Sequence, residues 1–121
     1  MAAILVIEDD ADNREMLSRV VAIMGYDIIS AESGEDALQI IDERSDVALV
    51  LCDIRLPGIG GLAFRAAAQK RHPALKVAFV TGDAQAADDA IREGAIAMLK
   101  PYDFSVLTHV IVEALAQPAR P

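Results

Sequence analysis

Cysteine is almost absent from this chain. Cys52 is the only one among 121 residues, so an internal disulfide is excluded and a reducing cytoplasm is the expected setting. Long apolar runs are missing too, and none approaches the length of a membrane span. The amino terminus passes from Met1 straight into Ala3-Ile4-Leu5-Val6-Ile7 without a basic leader. That segment reads as a buried strand, not a signal peptide. Basic residues are scarce, 11 against 19 acidic, giving a net charge of −8. This balance argues against direct binding to a nucleic-acid backbone. It leaves protein partners open and permits a site that concentrates a divalent cation. No repeat or low-complexity segment is present. What remains is rich in apolar side chains, 54% of the chain, at a length that suits one folded domain.

Those side chains alternate between two periods. Ala3–Ile7 is a continuous apolar run that stops at Glu8-Asp9-Asp10. Residues 11–24 carry Met16, Leu17, Val20, Val21 and Met24 at helical spacing, and Gly25 suits a helix stop. Asp27–Ala31 reads as a short strand. Ser33-Gly34-Glu35-Asp36 resembles a capping box that opens a helix to about Arg44. Val47–Cys52 is a strand ending at Asp53, followed by a loop with Pro57, Gly58, Gly60 and Gly61. A helix over about Leu62–Arg71 ends at His72-Pro73. Lys76–Val80 is a strand ending at Thr81-Gly82. Asp83 is the expected N-cap of a short helix to Glu93. Ile96–Leu99 is the last strand, before Lys100-Pro101. A final helix, about Asp103 to Ala116, is expected to bury Phe104, Leu107, Val110, Ile111, Ala114 and Leu115. The tail Gln117–Pro121 reads as a simple end or the start of a linker, which puts a domain at 1–117 and a tail at 118–121.

Five strand–helix pairs with continuously apolar strands predict a parallel sheet covered on both faces. The expected fold is a doubly wound (βα)5 α/β sandwich. Ligands of such sheets sit beyond the carboxyl ends of the strands. Four strands deliver polar residues there: Glu8, Asp9 and Asp10 after the first, Asp53 after the third, Thr81 after the fourth, Lys100 after the fifth. Glu8, Asp9 and Asp53 together carry −3, which is costly without cations. Mg²⁺ suits carboxylate oxygens, and with Lys100 it balances the charge. A phosphoryl group on Asp53 would find partners in the cation, the Lys100 ammonium, the Thr81 hydroxyl and backbone N–H groups near Arg55 and Gly82.

Four blocks at these strand ends resemble the signature of response-regulator receiver domains. They are Ile4-Leu5-Val6-Ile7-Glu8-Asp9-Asp10, Cys52-Asp53-Ile54-Arg55-Leu56-Pro57-Gly58, Val80-Thr81-Gly82 and Lys100-Pro101-Tyr102. The likeness covers about Ala3 to Leu115 and implies the flavodoxin-like form of the fold, a three-layer α/β sandwich with parallel strand order 2-1-3-4-5. It implies that Asp53 is the phosphoacceptor and that Glu8, Asp9, Asp53 and the Arg55 carbonyl hold Mg²⁺. It further implies that Thr81 is the switch hydroxyl, that Lys100 pairs with the phosphoryl group, and that Lys100-Pro101 is cis. The implied partners are a sensor histidine kinase or a histidine phosphotransfer protein, and a downstream output protein. Two departures stand out. The stretch from Thr81 to Lys100 is short for the family, so its helix should be short or loosely held. Ala97 stands where the family usually has a switch aromatic.

Other readings compete. A phosphoryl shuttle without its own output is compatible with the same residues. An aspartyl-phosphate phosphatase needs a second Asp as acid/base, but the sequence reads Asp53-Ile54-Arg55. A flavodoxin-like cofactor binder needs a phosphate loop where three carboxylates stand. A degenerate receiver would lack part of the five-residue set, which is intact. Asp10 alone reads as a helix cap. Arg55 and Asp83 are either a pair across the mouth of the site or two unrelated surface charges. Cys52 is expected to be a buried hydrophobe, and His72 and His109 surface residues, with no second histidine or carboxylate partner that makes either a phosphorylated histidine or a zinc ligand.

Overall fold

In a computed structural model of the chain, residues 2–116 are described. The tail from Gln117 lies outside them, as does the 117/118 boundary. The elements are β1 (Ala3–Ile7), α1 (Ala11–Ile23), β2 (Asp27–Ala31), α2 (Gly34–Glu43), β3 (Val47–Asp53), α3 (Gly61–Arg71), β4 (Lys76–Thr81), α4 (Ala84–Arg92), β5 (Ile96–Leu99) and α5 (Phe104–Ala116). All strand pairs are parallel, in the order β2-β1-β3-β4-β5. This is the doubly wound sandwich that the alternating periods predict. Among the described residues, no helix is long and apolar enough to cross a membrane.

The strand sequences are apolar throughout because both faces of the sheet are covered. On β1, Leu5 and Ile7 join one core with Phe64 and Ala68 of α3, Ala37 and Ile41 of α2, and Ala90 of α4. Ile4 and Val6 join the other, with Leu17 and Val21 of α1 and Leu107, Ile111 and Ala114 of α5. Every β1 residue is fully buried. Helix starts follow local chemistry. Asp10 caps α1, its Oδ1 accepting from the Asp12 and Asn13 amides at 2.9 and 3.0 Å. Ser33 Oγ accepts from the Asp36 amide at 3.1 Å, and Asp83 Oδ1 accepts from Gln85 and Ala86 at 2.9 and 3.2 Å.

Helix α3 lacks a side-chain cap; its N-cap is Gly60, and the helix starts at Gly61, one residue before expectation. The reason is close approach. A Cβ at Gly61 would lie 2.5 Å from the Asp53 carbonyl and 2.8 Å from Ile54 Cα. Only glycine lets this helix sit against the end of β3.

One expectation about packing fails. Phe104 is 51% exposed, not buried. It lies on the apolar stripe of α5, but as the first residue of the helix it falls ahead of the part packed on the sheet, where Leu107 is the first fully buried residue. Met16 is also 51% exposed, at the flank of the Leu17 and Val21 stripe of α1. The Lys100–Pro101 peptide is cis.

Candidate functional site

Strand register assembles the site. Ile7 pairs with Cys52, so Glu8 leaves β1 level with Asp53 at the end of β3. Asp53 pairs with Val80, one residue before Thr81, and Thr81 pairs with Leu99, one before Lys100. The Lys100 amide donates to the Thr81 carbonyl at 2.7 Å, which carries the alignment past the end of β5. A one-residue shift in any strand would turn these side chains to other faces.

Carboxylate oxygens of Glu8, Asp9 and Asp53 come within 4.8 Å of one another. Glu8 is 2% exposed, Asp9 lies at the surface and Asp53 is intermediate. Lys100 Nζ reaches Asp53 Oδ2 at 3.4 Å and Glu8 Oε2 at 3.8 Å. Asp53 Oδ1 accepts from the Arg55 amide at 3.0 Å, one of the backbone donors expected from the sequence. Burial, then the hydrogen bond and charge of Asp53, push the Glu8 carboxyl up to about 7; Lys100 and Asn13 oppose the shift. Hard oxygen donors, two of them largely withdrawn from water and short of positive charge, fit a small divalent cation such as Mg²⁺.

Beside the carboxylates, Asp53, Arg55, Thr81, Gly82, Asp83 and Ala84 line an open cleft of about 490 Å³. Thr81 is buried, and its Oγ1 accepts from the Asp83 amide at 3.2 Å. Arg55 and Asp83 form an ion pair across the mouth of this cleft. The Ala86 and Gln85 amides, and then Arg55, hold the Asp83 carboxyl below its ordinary range. Gly58, with φ of +75°, turns the loop after Asp53 against Glu35 of α2.

The structure thus brings Glu8, Asp9, Asp53, Arg55, Thr81 and Lys100 to one edge. Asp10 is apart from them in role, as a helix cap. Cys52 is buried, and burial pushes its thiol up. His109 is exposed. His72 Nε2 lies 3.0 Å from Asp42 Oδ1, and Arg71 holds the other oxygen at 2.6 Å, a partly exposed group that joins α2 to α3. Sequence reasoning missed two further contacts on Glu8, from Asn13 Nδ2 to Oε1 at 3.4 Å and from Arg14 Nη1 to the Glu8 carbonyl at 2.9 Å. A helix capped at Asp10 returns its first turn over the strand end, and that was the available signal.

The family model described as the response regulator receiver domain matches residues 4–112. The chain belongs to the response regulator receiver domain family of two-component signalling. A receiver domain protein from Clostridium thermocellum superposes with a TM-score of 0.87 at 28% identity, over 95% of this chain and 94% of that one. The response regulator TrrA from Thermotoga maritima, solved in complex with Mg²⁺ and BeF, gives 0.86 at 30% identity, over 94% and 99%. The transcriptional regulatory protein ZraR of Salmonella typhimurium is 33% identical over 116 residues, covering 93% of this chain and 26% of the regulator. The chain therefore spans about a quarter of the length of that curated relative. Receiver domains are signalling switches, not conventional enzymes, and histidine kinases phosphorylate them.

Proposed function

We propose that this chain is a phosphoacceptor switch in which Asp53 takes a phosphoryl group from a sensor histidine kinase or a histidine phosphotransfer protein. The observation that carries the reading is Lys100 Nζ, placed between Asp53 and Glu8 at the edge of three converging carboxylates. One Asp53 carboxylate oxygen attacks phosphorus. The O–P bond forms as the P–N bond of the phosphohistidine breaks, and the electron pair stays on the imidazole nitrogen. Lys100 and the Thr81 hydroxyl then face the new phosphoryl oxygens, and the Arg55 amide steadies the carboxylate. Glu8, Asp9, Asp53 and the Arg55 carbonyl would hold Mg²⁺, which supplies positive charge to the transferring oxygens when bound. In hydrolysis a water oxygen forms a new O–P bond as the Asp53 O–P bond breaks; the electron pair returns to the Asp53 carboxylate, and inorganic phosphate leaves with the water proton.

The phosphorylated state would be read by a downstream output protein on the side formed by α4, β5 and α5. The acceptor chemistry is tested with acetyl phosphate and Mg²⁺, by intact mass beside an Asp53→Ala control. Gain of one phosphoryl group in the wild type alone supports the reading. A gain that persists in Asp53→Ala defeats it.

A further inference from the structure

Arg14 belongs to none of the four strand-end blocks, yet it holds the backbone from which Glu8 projects. Its Nη1 donates to the Glu8 carbonyl at 2.9 Å. On the other side of Glu8, the amide donates to the Ala31 carbonyl of β2 at 3.2 Å. Both backbone polar groups of Glu8 are therefore tied, one to a neighbouring strand and one to α1. The Arg14 side chain is 19% exposed. Withdrawing a guanidinium that far from water is costly unless its bonds are well made. Its contact with Glu32 Oε1, at 3.7 Å and with Glu32 75% exposed, is a weak surface pair and does not offset that cost. The Glu8 carbonyl is the partner with fixed geometry. The guanidinium thus acts on Glu8 through the main chain.

We infer that Arg14 is a positioning residue for the acidic site, pinning the Glu8-Asp9 turn so that its carboxylates converge with Asp53 before a cation arrives. The inference rests on the Mg²⁺ reading of these carboxylates. A turn that must be ordered during binding takes its ordering cost from the affinity; a turn already held does not. Groups that orient metal ligands typically change affinity on the order of tenfold or more when removed.

The test is Mg²⁺ binding to the full chain by titration calorimetry, with amide exchange and thermal unfolding of the metal-free protein. Arg14→Ala is expected to weaken Mg²⁺ binding about tenfold and to speed amide exchange at Asp9 and Asp10. Arg14→Lys, which keeps a charged donor of similar reach, should recover most of the loss. Glu32→Gln, which removes only the exposed partner, should stay within about twofold. A merely structural arginine would lower the unfolding temperature and leave Mg²⁺ affinity unchanged. If Arg14→Ala does not fold, Arg14→Gln carries the same comparison. A folded variant binding Mg²⁺ within twofold of wild type overturns the role of Arg14 alone, as does equal weakening by Glu32→Gln. A wild-type chain that takes up no Mg²⁺ overturns the metal reading and this role with it.

Discussion

At the β1–β3 part of the carboxyl edge, Glu8 is held through its amide, its carbonyl and its side chain, and Asp53 through the Arg55 amide and Lys100. At the β5 border of the sheet the construction is different. Helix α4 spans nine residues, the shortest described helix, and its buried residues are Ala87 and Ala90. Ala97 is half-buried where an aromatic would fill space, and Ile91 and Leu99 are 54% and 46% exposed. Phosphoryl chemistry needs groups fixed to fractions of an ångström. A switch needs an element cheap to rearrange. The chain separates the two needs by position. Thr81-Gly82-Asp83 joins them: Thr81 faces the site, and Asp83 both caps α4 and meets Arg55.

The sharpest way to break the comparison is to remove one aromatic ring from each side. Phe64→Ala removes a fully buried ring under β3 and should cost about 3–5 kcal/mol in urea unfolding. Phe104→Ala removes a ring that is 51% exposed and should change stability by no more than about 0.5 kcal/mol. Comparable losses would mean that Phe104 is covered in solution.

Next in size is the fixed cation. Lys100→Ala leaves Asp53 and Glu8 without their ammonium partner and should slow acetyl phosphate labelling on the order of 100-fold. A rate within threefold of wild type, measured by intact mass against time, would remove Lys100 from the account.

The buried Glu8 carboxyl gives a third test. Glu8 is raised from its ordinary 4.5 to about 7, so the fold favours its protonated form. The stability this contributes is full below 4.5 and is lost as pH rises through about 7. The unfolding temperature of the metal-free chain should therefore fall from pH 5 to pH 8 more steeply than that of Glu8→Gln. Mg²⁺ should flatten the slope by taking the place of the proton. A slope indifferent to both contradicts the cluster.

The smallest expected effect is at the join. Arg55→Ala opens the mouth of the cleft and frees Asp83, and should shorten the phosphoryl lifetime by about three- to tenfold. An unchanged lifetime would make the pair two surface charges and nothing more.

Much of this was legible in the sequence for a local reason. Apolar runs that stop at Glu8, Asp53, Thr81 and Lys100 mark strand ends, and a parallel sheet must bring such ends to one edge. Asp10 and Asp83 were readable as caps because capping is decided within three residues. The rest depends on distance through the fold. Arg55 and Asp83 are 28 positions apart, and His72 and Asp42 are 30 apart, so only the tertiary structure pairs them. Phe104 misled because helical period identifies a face but not where the sheet beneath it stops. Arg14 escaped notice because a main-chain carbonyl leaves no residue type to look for.

The central claim is that a phosphoryl group at the rigid edge rearranges the looser one. Hydrogen exchange of the metal-free chain against the chain with Mg²⁺ and beryllofluoride, a stand-in for the phosphoryl group, tests it most directly. The account predicts protection at 8–10 and 53–58 together with a change across 81–99. Protection confined to the carboxylates, with α4 and β5 unaltered, would contradict it.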